Sequence, residues 1–92
     1  MLYVVIMQNR YGKESEWYST NLPEAIFDKH CLAVDYIKKK AKGHEIVRED
    51  SCSDGWYMLD YVIHHDTFSN DYDELVRYQI PGITWELNNK LE

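Results

Sequence analysis

The sequence predicts one α+β domain spanning residues 1–92, a small, mainly antiparallel sheet with one long and one short helix in the order ββαββαβ. Short runs rich in Val, Ile, Tyr and Trp recur between polar turn segments, and one long stretch repeats apolar residues every three or four positions. Gly or Pro marks the ends of several of these elements. With 92 residues, 45% hydrophobic and 14% aromatic, the chain has enough apolar surface to order itself, but only into one modest core.

Leu2 to Gln8 reads as a buried first strand, and Asn9 to Lys13, with Gly12, as a turn. Glu16 to Thr20 pairs back on it as a second strand, through a loop longer than the tight two-residue type. A helix is then expected from Asn21-Leu22-Pro23-Glu24, where Asn21 caps, Pro23 loses nothing by lacking an N–H, and Glu24 meets the positive end of the helix dipole. Ile26, His30, Ala33, Ile37 and Ala41 form its inner stripe, which Phe27, Cys31 and Val34 widen. Lys38, Lys39, Lys40 and Lys42 suit its negative end, and Gly43 stops it.

His44 to Asp50 and Trp56 to His64 form a second hairpin around the Asp54-Gly55 turn. In the later strand Tyr57, Leu59, Tyr61 and Ile63 share one face and Trp56, Met58, Asp60 and Val62 the other, so both faces call for cover. After a loop from His65 to Asn70, Ser69 or Asn70 caps a short helix with Asp71, Asp73 and Glu74 in its first turn, and Pro81-Gly82 ends it. Ile83 to Leu87 is the last expected strand.

Several function classes are disfavoured. No apolar run approaches the ~20 residues that span a bilayer, and Met1 to Met7 lacks both a basic lead and a small-residue cleavage site. Cys31 and Cys52 are too few for a disulfide framework and suit free thiols in a cytosol, that of the host if the chain is phage-encoded. His64-His65-Asp66 is the one cluster resembling metal chemistry, but neighbours on a strand point to opposite faces, so no metal or other cofactor is expected. There is no phosphate loop, nucleophile elbow or His-Glu-x-x-His motif, and Cys31 beside His30 belongs to the apolar helix side, where thiols are inert; no enzymatic activity is expected.

The net charge of -6 is unevenly placed. Met1 to His44 carries seven Lys/Arg against five Asp/Glu, and Glu45 to Glu92 three against eleven. Such a field repels phosphate backbones and anionic membranes and attracts basic protein surfaces. The candidate partner-binding residues are therefore Glu45, Glu49, Asp50, Asp54, Asp60, Asp66, Asp71, Asp73, Glu74 and Glu86. Strand residues two apart stand roughly 6.6–6.8 Å from each other, about twice the phosphate step along one DNA strand, so a sheet can set carboxylates at phosphate-like intervals. The plainer alternative is a solvated acidic surface.

In length, acidity, Tyr-rich mixed fold and lack of a chemical motif, the whole chain resembles the small bacteriophage anti-restriction proteins that mimic DNA, the Arn-like inhibitors in particular. The resemblance implies an inhibitor that occupies the DNA-binding surface of a host restriction nuclease subunit or similar DNA-binding protein and so evades host defence. It carries no motif, so the site residues come from the charge distribution alone, and the basic first half departs from the family profile. The inhibitor is expected as a homodimer, and some of Tyr11, Trp17, Tyr18, Tyr72, Tyr78 and Trp85 are expected to form a homodimer or partner contact; the alternative is a non-catalytic interaction module, an antitoxin or phage adaptor, that binds through Tyr and Trp.

Overall fold

The computed structural model describes residues 1–11, 23–64 and 74–82. Five strands and one helix occur in the order β1 (Tyr3–Tyr11), β2 (Pro23–Phe27), α1 (His30–Ala41), β3 (Glu45–Ser51), β4 (Tyr57–Ile63) and β5 (Glu74–Ile80). All neighbouring strands are antiparallel, in the spatial order β2-β1-β5-β4-β3. The α+β class and antiparallel sheet therefore hold, while the two-helix ββαββαβ order needs two corrections.

Pro23 to Phe27 is a strand, and the helix begins seven residues after Pro23, at His30, behind an extended Lys29 that makes no side-chain cap. Tyr3 pairs with Phe27 and Val5 with Ala25, so this short segment gains a ladder against β1 that outweighs the local start signals of Asn21, Pro23 and Glu24. The second correction is β5, read from sequence as the short helix. Val76, Tyr78 and Ile80 alternate with Leu75, Arg77 and Gln79, and the alternation serves a strand hydrogen-bonded on both sides, to β1 and β4. The expected strands Glu16–Thr20 and Ile83–Leu87 lie outside the described residues.

Helix α1 covers one face of the sheet, resting on β1, β2, β5 and β4. Its buried residues are Ala33, Ile37 and Ala41, a spacing of four that keeps one line toward the sheet. Cys31 departs from expectation and is exposed. It precedes Ala33 by two residues, roughly 200° around a helix of 3.6 residues per turn, which turns it to the far side. The helix residues meet Val5, Tyr57, Leu59, Tyr61, Val76, Tyr78 and Ile80 in the core.

Beyond α1, Gly43 takes a positive φ of 86° that turns the chain into β3. The β3–β4 hairpin closes through Cys52 N–H donating to the Trp56 carbonyl at 2.9 Å, with Gly55 at φ 99°. The imidazole Nε2 of His30 lies 2.8 Å from the Gly55 carbonyl, which can only accept, so the ring donates and ties the start of α1 to this turn.

Strand β4 is buried on both faces, as its unpolar alternation required: Leu59 faces α1, and Met58 and Asp60 are buried on the other side. Gly82 packs against Asp54, whose Oδ1 accepts from Trp56 N–H at 3.0 Å, and a Cβ on Gly82 would collide with that carboxylate. Gly82→Ala should cost about 1–3 kcal/mol, the usual range for overpacking, in urea melts. Adding Asp54→Ala should return part of that loss; strictly additive costs would show that the two sites do not communicate.

Candidate functional site: the acidic β3 edge

Strand β3 pairs with β4 along one side only and stands at an edge of the described sheet, with all seven of its residues exposed. A bulge between Ile46 and Arg48 makes Val47 an extra residue and divides the strand. Across it, Glu45 pairs with Val62, Arg48 with Asp60 and Asp50 with Met58, which places these three on the face away from α1. Ile46, Glu49 and Ser51 lie opposite Tyr61, Leu59 and Tyr57 and share the helix face.

The carboxylates are individually anchored. Glu49 accepts a hydrogen bond from the Tyr57 hydroxyl. Glu45 lies 3.2 Å from His64 Nε2, and both are exposed. Asp50 accepts from the Ser51 N–H at 2.8 Å, and Arg48 Nη2 stands 4.0 Å from its other oxygen. The exposed pairs of Glu45 with His64 and Asp50 with Arg48 contribute little to stability, about 0–1 kcal/mol, so these two acids are available to a partner at small energetic cost.

Asp60, named among the surface acids from sequence, is not available. It is 3% exposed, and Arg77 grips it in a bidentate pair, Nε to Oδ1 at 2.9 Å and Nη2 to Oδ2 at 3.1 Å. Both side chains lie at directly paired positions on the face of β4 and β5 away from α1. Charge counting cannot distinguish a carboxylate that faces solvent from one matched by a cross-strand arginine.

Asp54 is half-buried in the hairpin turn, and Glu74, also half-buried, accepts from Asn9 Nδ2 at 2.8 Å at the far end of β5. Asp66, Asp71, Asp73 and Glu86 lie outside the described residues. Glu45, Glu49 and Asp50 are thus the candidate acids the fold gathers on one exposed strand. The lysines of α1 reach the same strand at its apolar residue: Lys38, Lys39 and Lys42 line a shallow depression of about 380 Å³ that ends at Ile46. Strand β3 is therefore met by positive charge at Ile46 on the helix side, a juxtaposition that the separate halves of the sequence did not suggest.

Comparison with family models, curated proteins and solved structures finds no match.

The aromatic residues divide differently from the interface proposed on composition. Tyr78 belongs to the core, as do Tyr57 and Tyr61, while Trp17, Tyr18, Tyr72 and Trp85 lie outside the described residues, as does the side chain of Tyr11. Tyr61 stacks on His44 on one side, with ring centres 4.8 Å apart, and on Tyr78 on the other, at 6.2 Å. On the opposite face of the sheet, Trp56 borders an apolar cleft of about 590 Å³ floored by Val4 and Ile6. Among the described residues no helix is long and apolar enough to cross a membrane, and no three His, Cys, Asp or Glu residues form a metal-sized cluster.

Glu24, the extra residue of the β1–β2 bulge, holds the far side of the core by accepting from Tyr36 at 2.8 Å and from Tyr78 at 3.2 Å. Burial and then the Glu24 carboxylate push Tyr36 up to about 12 and raise Tyr78 further. Burial and Glu49 likewise raise Tyr57. A raised tyrosine holds its proton more tightly in the folded state. Its contribution is fully present below the unfolded value of 10.0 and is lost as pH rises through the folded one. Unfolding free energy should thus begin to fall above about pH 10. Glu24→Gln should move Tyr36 and Tyr78 toward ordinary values in a spectrophotometric titration; unchanged midpoints would remove Glu24 as a cause.

Proposed function

We propose that this chain is a DNA-mimic inhibitor that sets the acidic β3 edge against the DNA-binding surface of another protein, without catalysis. One observation carries the reading: Glu45, Glu49 and Asp50 stand exposed on one strand whose inner side is fixed to a buried one. From Glu45 to Asp50 the strand covers roughly 17 Å, a length over which one DNA strand places about five phosphates. Three carboxylates, with Arg48 among them, form a thinner field than that, and the other candidate acids Asp66, Asp71, Asp73 and Glu86 lie outside the described residues. The partner surface this field suits is a lysine- and arginine-lined groove, such as that of a restriction nuclease subunit.

The test immobilises the full chain in bacterial lysate at low and high salt, with and without competing duplex DNA. The retained proteins should bind duplex DNA and be released both by it and by salt. The triple substitution Glu45→Gln, Glu49→Gln and Asp50→Asn should weaken retention at least about tenfold, or 1.4 kcal/mol, with the fold intact by circular dichroism. Retention indifferent to salt, DNA and the triple substitution would reject the reading. The second reading, an interaction module binding through apolar contact, is favoured by the exposed Ile46 and Val47 between the acids.

A further inference from the structure

We infer that β3 takes up an extended segment of its partner as an added strand, the segment carrying an apolar residue flanked by lysine or arginine. The inference rests on the proposed function in one respect, that the carboxylates of this edge face a basic protein. It adds main-chain pairing, which a docked groove of basic side chains does not need.

Main-chain geometry comes first. The inner side of β3 is committed to β4, and among the described residues no strand pairs with its outer side. Below the bulge, Arg48 to Ser51 keeps regular register with Asp60 to Tyr57, so its outer N–H and C=O groups follow strand spacing. An added strand satisfies such groups whatever its sequence, and side-chain pockets on alternate positions then select which strand binds.

Those positions are unequal here. On the helix face, Ile46 is 51% exposed beside the depression that runs to the end of α1. Ala41 and Gly43 line it with Lys38, Lys39 and Lys42 against the single acid Asp35, which suits one apolar side chain and disfavours a cationic one. On the other face Glu45 and Asp50 stand on either side of Arg48, and Arg48 has Asp60 directly across the ladder. A strand laid along β3 thus meets the apolar seat at Ile46 and then Glu49 on the helix face, and Glu45 and Asp50 on the other, which calls for one apolar residue set among basic ones.

The bulge and the charges also guard the edge against indiscriminate pairing. A second copy paired about Glu49 would set that carboxylate against itself, and opposed like charges on paired strands repel. The same charges attract a basic strand, so the guard and the selectivity have one cause.

The deciding experiment titrates the full chain with a blocked heptapeptide of one valine set among lysines, and with a twin of equal charge whose alternate amides are N-methylated. Binding is followed by amide hydrogen exchange. The parent peptide should bind and slow exchange at Arg48 to Ser51, and the twin, which cannot donate along one edge, should bind at least about tenfold more weakly. Ile46→Thr, a strand-compatible change at an exposed position, should weaken the parent peptide without lowering the melting temperature.

Equal binding of the two peptides overturns strand addition, and so does no binding by either. Slowed exchange in β3 that grows with protein concentration alone overturns it in favour of a second copy. The electrostatic reading fails separately: it survives equal binding of both peptides if raised salt and the triple neutral substitution abolish that binding, and falls if they leave it unchanged.

Discussion

Asp60→Ala is expected to cost about 3–5 kcal/mol, the range for removing one partner of a buried ion pair. The substitution withdraws the carboxylate from Arg77, whose side chain is only 22% exposed and donates two hydrogen bonds to it. A domain of this kind has ~5–15 kcal/mol in total, so a loss of this size brings a marginal fold close to half-unfolded at ambient temperature. Urea melts read it directly as a shifted midpoint. The paired change Asp60→Leu with Arg77→Met should recover most of the loss, because well-packed apolar residues commonly replace a buried pair without net cost. A loss under about 1 kcal/mol in the single variant would mean that solvent reaches the pair and that its burial is not what matters. For function, Asp60→Asn should leave partner binding unchanged wherever the chain remains folded, since the carboxylate is turned away from solvent.

Leu59→Ala is the second large effect, about 2–5 kcal/mol from lost burial and a residual cavity. Leu59 is fully buried on the helix side of β4, among the residues that Ile37 and Ala33 contact from above. Because β4 is the sole described neighbour of β3, loosening it should also speed hydrogen exchange across Glu45 to Ser51 before the rest of the sheet opens. Leu2→Ala serves as the control, since Leu2 is exposed, and should fall within ±0.5 kcal/mol. Comparable losses at the two positions would contradict the placement of the core.

Neighbouring residues account for the parts of this fold that were legible in advance. The β3–β4 hairpin is written in two strand-forming runs and the Asp54-Gly55 turn, and the body of α1 in the spacing of Ala33, Ile37 and Ala41 followed by lysines and Gly43. The misread segments carried competing local signals. Pro23 and Glu24 suit the first turn of a helix, and Asp71, Asp73 and Glu74 suit another, yet Pro23 to Phe27 and Glu74 to Ile80 both became strands. In β5 the alternation of Val76, Tyr78 and Ile80 was the stronger signal, because it decides which side chains reach the core.

The candidate site shows the same division. Composition located negative charge in the second half of the chain but could not say which acids face solvent. Burial on both faces of β4 removed Asp60, and edge position exposed Glu45, Glu49 and Asp50.

By itself, then, the sequence determined the fold class, the helix body, the hairpin and the sign of the field, all properties of residues close along the chain. Only the tertiary structure decided the order β2-β1-β5-β4-β3, the pairing of Asp60 with Arg77 and the meeting of the α1 lysines with β3 at Ile46. These depend on contacts between distant residues, whose free energy appears only once strands and helix have closed on one another.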